Sequence, residues 1–366
     1  MNHETSEKRL KVGFAGCGAI ARNKSMPALQ KLESVELAAF FDIDPQKAAA
    51  ARQIYGGAAA KVYGSYPELL GDRSIDVLYV CTPNRWHAEM SIDALLAGKH
   101  VMCEKPMAIT ARDAAKMMEA AKKTGKKLSV AYQNRFRPDS LFLHNLCAKG
   151  ELGEIYYAKA YAVRRRAVPT WGAFLDRATQ GGGPLIDIGS HALDLVLWMM
   201  DNYQPKYVVG KTYDKIGRAG SGANAWGAWD PERFQVEDAA FAFIGMQNGA
   251  TVALESSWAL NVAAEKEAKI TLCGTKGGAD MENGLRLNGE RDRELFTTTV
   301  ETGFHKERPG YGNTAKTPAD LEAESWIDHV LHDQVLIVRP EQALVVTAII
   351  EAVYESAQSG QPVFFA

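Results

Sequence analysis

Over roughly the first third of the chain, short apolar runs alternate with stretches of helical period. Leu10 to Ala15, Val35 to Phe41, Ala60 to Val62, Ile75 to Cys81, His100 to Cys103 and Leu128 to Ala131 read as strands. Between them, helices are predicted from the residues after Gly18 to about Leu32, over Pro45 to Tyr55, over Tyr66 to Leu70, over Trp86 to Ala97 before Gly98, and over Ala111 to Thr124 before Gly125. Strands alternating with helices of this length predict a doubly wound parallel sheet of Rossmann type.

The rhythm changes after about Asn134. Ile155 to Val163 alternates loosely as a strand, Gln180 to Pro184 is a glycine-rich loop, and Leu185 to Met200 is a strongly apolar helix. Tyr207 to Tyr213, Val236 to Met246, Ala250 to Trp258 and Lys269 to Cys273 follow as strands without helices between them. That order predicts a large open, mainly antiparallel sheet in an α+β second domain, closed by helices at about Ala319 to Leu331 and Glu341 to Gln358. The expected division is residues 9–131 for a cofactor-binding domain and 132–366 for a substrate-binding and oligomerisation domain. Gly217 to Gly227, rich in Gly, Ala and Ser, reads as a mobile loop.

With 366 residues, 46% of them hydrophobic, the chain is long enough for two cores. A net charge of −2 gives no reason to expect nucleic acid or a membrane surface as partner. The five cysteines have no C-x-x-C spacing and read as reduced, so a cytoplasmic location is expected.

Chemistry concentrates at strand ends. Gly16-x-Gly18-x-x-Ala21 follows the first strand and opens a helix, and Asp42 ends the second strand 21 positions after Ala21. Gly16 suits a tight turn, Gly18 a close backbone approach to pyrophosphate, and the amides from Gly18 through Ala19 and Ile20 the phosphates at a helix N-terminus. Asp42 can accept both hydroxyls of an adenosine ribose and repels a 2′-phosphate; Ile43 follows rather than arginine, so NAD is expected over NADP. Thr82-Pro83-Asn84 ends the fourth strand at the same sheet edge, where it can lie over a nicotinamide ribose or serve as a helix cap. His87 follows in the first helical turn, as a cofactor neighbour or a packing residue. Glu104-Lys105-Pro106 stops the fifth strand, and proline there favours extended backbone at Lys105. Glu104 is read as touching the cofactor or pairing with a local base.

The second specific stretch is Gly181-Gly182-Gly183-Pro184-Leu185-Ile186-Asp187-Ile188-Gly189-Ser190-His191. If a helix starts near Ile186, Asp187 and His191 share one face. A histidine beside a carboxylate is suited to moving a proton near neutral pH; the alternative is a satisfied core histidine. Asp194, one turn on, reads as a capping or structural acid. No third ligand stands at sensible spacing, so no metal is expected.

Together the glycine loop, Thr-Pro-Asn, Gly98-Lys99-His100-Val101-Met102-Cys103-Glu104-Lys105-Pro106 and the Asp-x-x-x-His stretch resemble the Gfo/Idh/MocA oxidoreductases over most of the chain. The resemblance implies a Rossmann domain followed by an open antiparallel sheet that forms a homodimer or homotetramer. It also implies hydride transfer between nicotinamide and a sugar, glycoside or cyclic polyol such as inositol. Lys105, Asp187 and His191 fall on the family's catalytic positions, and Asn134, after the last Rossmann strand, where substrate contacts occur. Arg164-Arg165-Arg166 with Trp171 beyond suits a sugar ring carrying an anionic group, or is a solvated basic turn. Two rival readings are an NAD-assisted glycoside-cleaving enzyme and a non-catalytic NAD-binding metabolite sensor.

Overall fold

The computed structural model describes residues 9–220, 222–302 and 316–365. The chain forms two compact units. The first holds six strands, β1 (Leu10–Ala15), β2 (Val35–Phe41), β3 (Lys61–Val62), β4 (Val77–Val80), β5 (His100–Cys103) and β6 (Leu128–Val130). They pair in parallel in the order β3-β2-β1-β4-β5-β6. Chain order reverses between β1 and β4, and in such sheets ligands bind at the carboxyl ends beside that reversal. β4 is buried at every position, as a central parallel strand covered on both faces must be.

The helix expected to run from the glycine loop to Leu32 is split. A π turn spans Ala21–Ser25, where the Met26 N–H reaches the Ala21 carbonyl, and an α-helix covers Met26–Gln30. Pro27 has no N–H to donate and its ring would press on the carbonyl four residues back, so an unbroken α ladder cannot pass through it.

Compactness gives the first unit a late segment as well, Lys316–Glu341. Its helix, Pro318–His332, starts at a capping box between Thr317 and Asp320. Trp326 and Ile327 are buried with Val12, Phe14, Met26, Leu29 and Tyr79 in one core. The sequence pattern reveals an amphipathic helix there but not which core its apolar face joins.

Inside this unit Lys24, on the π turn, is buried between two carboxylates. Its Nζ lies 2.5 Å from Glu104 and 3.2 Å from Glu322 on the late helix. One cation stands against two acids, and burial together with the Glu104 charge pushes the Glu322 carboxyl up to about 7 against the pull of Lys24.

The second unit carries β7 (Ile155–Val163), β8 (Pro205–Tyr213), β9 (Ala239–Met246), β10 (Thr251–Ser257), β11 (Lys266–Gly274), β12 (Gly278–Asp280), β13 (Leu285–Arg291), β14 (Glu294–Val300) and β15 (Val363–Phe364). They form one sheet in the order β14-β13-β12-β11-β7-β10-β9-β8-β15, antiparallel except where β7 meets β10. The apolar helix Ser190–Met200 packs on β7 and β11, with all but His191 and Met200 buried.

Two carboxylates and an arginine in this unit show how its buried charges are answered. Arg135 is fully buried, donating to both oxygens of Asp194 at 2.9 and 2.6 Å and to Gln342 at 2.7 Å, so Asp194 is a structural acid. Glu237, also buried, accepts from the Gly183 and Leu185 amides at 2.9 and 3.1 Å and from the Tyr354 hydroxyl at 2.8 Å. It thereby fixes the backbone that enters the turn carrying Asp187.

Two outcomes are expected. Because the folded state raises the Glu322 pKa from 4.5 to about 7, folding takes up a proton in that interval. The Glu322 contribution is therefore complete below about pH 4.5 and lost by pH 7, a change of at most roughly 3 kcal/mol. Glu322→Gln should flatten that part of the stability–pH curve measured by denaturant unfolding; parallel curves for the two proteins would count against the shift. Glu237→Gln keeps the shape but only one acceptor oxygen, leaving an amide or the Tyr354 hydroxyl unpaired. It should lower unfolding free energy by about 1–3 kcal/mol, read from the denaturant midpoint.

Candidate functional site

In the first unit, the ends of β1, β2, β4 and β5 place Gly16, Asp42, Thr82 and Glu104 along one edge of the sheet. Gly16 has φ +92°, and a Cβ there would stand 2.5 Å from the Cys81 carbonyl, so only glycine passes between β1 and β4. A Cβ at Gly18 would meet nothing within 4 Å, which leaves open space over the backbone at the helix entry. Ala19 and Ile20 are exposed beside it.

The Asp42 carboxylate is fixed by the backbone. One oxygen accepts from the Cys17 amide at 2.8 Å and the other from the Asp44 amide at 2.9 Å. Each carboxylate oxygen keeps a second acceptor site, enough for the two hydroxyls of a ribose. At the next strand end the Thr82 hydroxyl oxygen is buried and has no protein partner. Open space at Gly18, a positioned acid and an orphaned hydroxyl at one sheet edge fit a dinucleotide.

Pro83 precedes a 3₁₀ turn, Asn84–Trp86, and no side-chain cap opens it; the α-helix His87–Leu96 follows. Asn84 is therefore at the first turn position rather than in the capping place. His87 is buried, with Nδ1 at 2.7 Å from the Pro106 carbonyl and Nε2 at 2.8 Å from the Thr82 carbonyl. Both ring nitrogens are engaged, and burial pushes its pKa down. The imidazole ties the loop after β4 to the loop after β5.

The Glu104 carboxylate faces Lys24, while its other oxygen takes the Lys105 amide at 3.3 Å. A local base beside Glu104, one of its two expected partners, is thus Lys24. Lys105 follows at the strand end, joined to Pro106 by a cis peptide bond. Lys24 was not read from the sequence, because within the polar run Arg22-Asn23-Lys24-Ser25 nothing marks it as the buried one.

In the second unit, Asp187 lies on a π turn, Leu185–Gly189, that runs into Ser190–Met200. The buried Trp258 indole N–H donates to its Oδ2 at 3.1 Å, and half-buried His191 stands four residues on. Lys105 belongs to the first unit, and Asp187 and His191 to the second. Asn134 is half-buried on the 3₁₀ turn Gln133–Phe136.

Arg164 differs from the expectation of an anion-binding or solvated group. Its guanidinium donates to both oxygens of Glu267 at 2.6 Å and lies 5.0 Å over the Trp226 ring. Arg166 donates to Asn261 at 2.6 Å. Trp171 meets Trp226 edge to face at 4.9 Å. Trp226 and Trp258 were not singled out in the sequence, because each lies far from Trp171 along the chain.

Among the described residues no group of three or more His, Cys, Asp and Glu is placed to hold a metal ion, and no helix is long and apolar enough to cross a membrane. None of the five cysteines is in a disulfide.

Residues 10–132 match the oxidoreductase family with NAD-binding Rossmann fold, and residues 145–365 match that family's C-terminal alpha/beta domain. The chain is 34% identical to D-glucoside 3-dehydrogenase of Escherichia coli (strain K12), over 98% of this chain and 99% of that protein. Aldose–aldose oxidoreductase from Caulobacter crescentus, solved with glycerol, superposes with a TM-score of 0.78 at 26% identity, covering 98% of this chain and 100% of the other. Levoglucosan dehydrogenase, solved with NADH and levoglucosan, shares the fold with a TM-score of 0.82 at 20% identity, covering 98% and 99%. With both of its domains matched, this chain belongs to the Gfo/Idh/MocA oxidoreductases and carries their NAD-binding Rossmann fold.

Proposed function

We propose that this protein is an NAD-dependent dehydrogenase that oxidises a ring hydroxyl of a neutral sugar, glycoside or cyclic polyol, or reduces the corresponding ketone. The observation that supports it most is Asp187, oriented by the Trp258 N–H, four residues before a half-buried histidine on an otherwise apolar helix. The glucoside-directed relative, alike over nearly the whole of both chains, favours a glycoside within this class.

NAD supplies the hydride acceptor when bound. Asp42 accepts ribose hydroxyls, and the amides beside Gly18 face phosphate. His191 takes the proton from the substrate hydroxyl as the carbonyl forms, and returns it in the reverse direction. Lys105, as ammonium, donates a hydrogen bond to the same oxygen and stabilises its developing negative charge. Asp187 orients the His191 ring or holds an adjacent substrate hydroxyl. Trp258, by holding one Asp187 oxygen, limits how far that carboxylate turns.

We further propose that two copies associate through the exposed face of the second sheet. Tyr207, Val209, Lys211 and Tyr213 on β8 stand opposite Gly245, Phe243, Phe241 and Ala239 on β9, and Val209 and Phe243 are each 44% exposed. Large apolar side chains clustered on a sheet face suit a self-complementary contact.

Lys105→Ala and His191→Ala should each lower kcat with NAD and a responsive sugar by about 100-fold or more, whereas Kd for NAD changes less than about threefold. Wild-type turnover in either variant removes that residue from the mechanism. For assembly, sedimentation should give a mass of at least two chains for the wild type and of one for Phe243→Asp at the same concentration. A wild-type mass of one chain rules out the proposed contact.

A further inference from the structure

Trp258 is the inner end of a chain of aromatic rings in the second unit. Its indole N–H holds Asp187, Phe174 meets it edge to face at 6.2 Å, and Trp171 meets Phe174 edge to face at 6.0 Å. Trp171 then meets Trp226 at 4.9 Å. The inner end is closed and the outer pair open: Trp258 is fully buried, while Trp171 is 49% and Trp226 41% exposed.

Two half-exposed tryptophans side by side need a reason to stay there, and the backbone around them is built to keep them so. Asn224 accepts from the Val168 amide at 2.8 Å and donates to the Val168 carbonyl at 3.0 Å. The Ala225 amide donates to the Arg166 carbonyl, and the Thr170 hydroxyl donates to the Trp226 carbonyl at 2.7 Å. The glycine-rich segment is thus pinned beside Trp171. Arg164, held by Glu267, braces the Trp226 ring from one side.

Arg164 is paired through both oxygens of Glu267, and the Arg166 side chain is engaged by Asn261 and the Arg165 carbonyl. The two tryptophans themselves offer half-exposed aromatic surface. A ring with an apolar face of C–H groups and hydroxyls at its rim matches that surface.

We infer that Trp171 and Trp226 form a subsite for the second ring of a glycoside, next to the ring whose hydroxyl is handled at Asp187 and His191. This rests on the proposed sugar oxidation and adds that the substrate has a neutral second ring, a sugar or an aryl group. Two ring-to-ring steps, of 6.0 and 6.2 Å, separate Trp171 from the indole that holds Asp187, so the outer pair is assigned to a ring other than the reacting one.

The test compares methyl glucoside, a glucose disaccharide and phenyl glucoside. Binding is followed by calorimetry on the NAD-loaded protein, and turnover by NADH absorbance. The disaccharide or the phenyl glucoside should bind wild type at least tenfold more tightly than methyl glucoside, and the better of the two identifies the second ring. Trp171→Ala and Trp226→Ala should each reduce that ratio at least fivefold, and Trp171→Phe should restore part of it. Equal binding of all three compounds by wild type, or equal weakening of all three in the variants, overturns the subsite. A preference in binding without any NADH formation supports the subsite and sinks the proposed oxidation, so the two failures are distinct.

Discussion

Lys24 is the constraint on which the cofactor-binding unit depends. A buried ammonium is costly unless its charge is answered, and the two carboxylates Lys24 meets come from distant parts of the chain, the end of β5 and the late helix. The same ion pair therefore sets the position of the turn after the glycine loop, of the residue before Lys105 and of the helix that returns to cover the sheet. Removing Lys24 would leave two carboxyls without their cation among Tyr79 and other buried groups, whereas removing Glu104 would leave Lys24 with Glu322 alone. Glu322 is the surplus acid, and its high pKa is the response of a carboxyl that shares one cation with a closer competitor.

The second unit meets a similar problem with a wider set of donors, one cationic and the others neutral. Its helix from Ser190 is apolar almost throughout, yet polar groups stand at its start, on its inner face and beneath its entry loop. Asp194 is answered by Arg135, Glu237 by two amides and a tyrosine, and Asp187 by an indole. The indole that meets Asp187 is an uncharged donor, and it fixes one oxygen of the carboxylate on the turn that leads to His191.

Much of this architecture was legible in the sequence. β1, β2, β5 and β7 and the helices Pro45–Tyr55 and Ala111–Thr124 have the predicted bounds, since each is a run of consistent character ended by residues that break it. The glycine loop and Asp42 were legible for the same reason: the chemistry needs them at fixed offsets from a strand. β13 and β14 were not, because their hairpin is mostly exposed and rich in Thr, Glu and Arg, so no apolar alternation marks it. Helix Pro138–Ala148 buries only Ser140 and Leu143 fully, too little for a visible stripe. The π turns escaped because a shift from four-residue to five-residue hydrogen bonding leaves no trace in hydropathy.

Pairings across long sequence distance were the least legible, and they change the chemistry most. Arg164, Arg165 and Arg166 look from the sequence like a basic run able to meet an anion. Yet Glu267, a hundred residues away, lies across the sheet where β7 ends and β11 begins, and takes Arg164 out of that role. Register decides this: Val163 pairs with Lys266 and Ala162 with Glu267, which brings the β11 acid beside the arginine just past β7. A charge's function is thus set by its cross-strand neighbours, and local composition alone reports only that a charge is present. The same reasoning turns the nearby tryptophans from an accessory of the arginines into the surface that a neutral ring would meet, with the arginine as their brace.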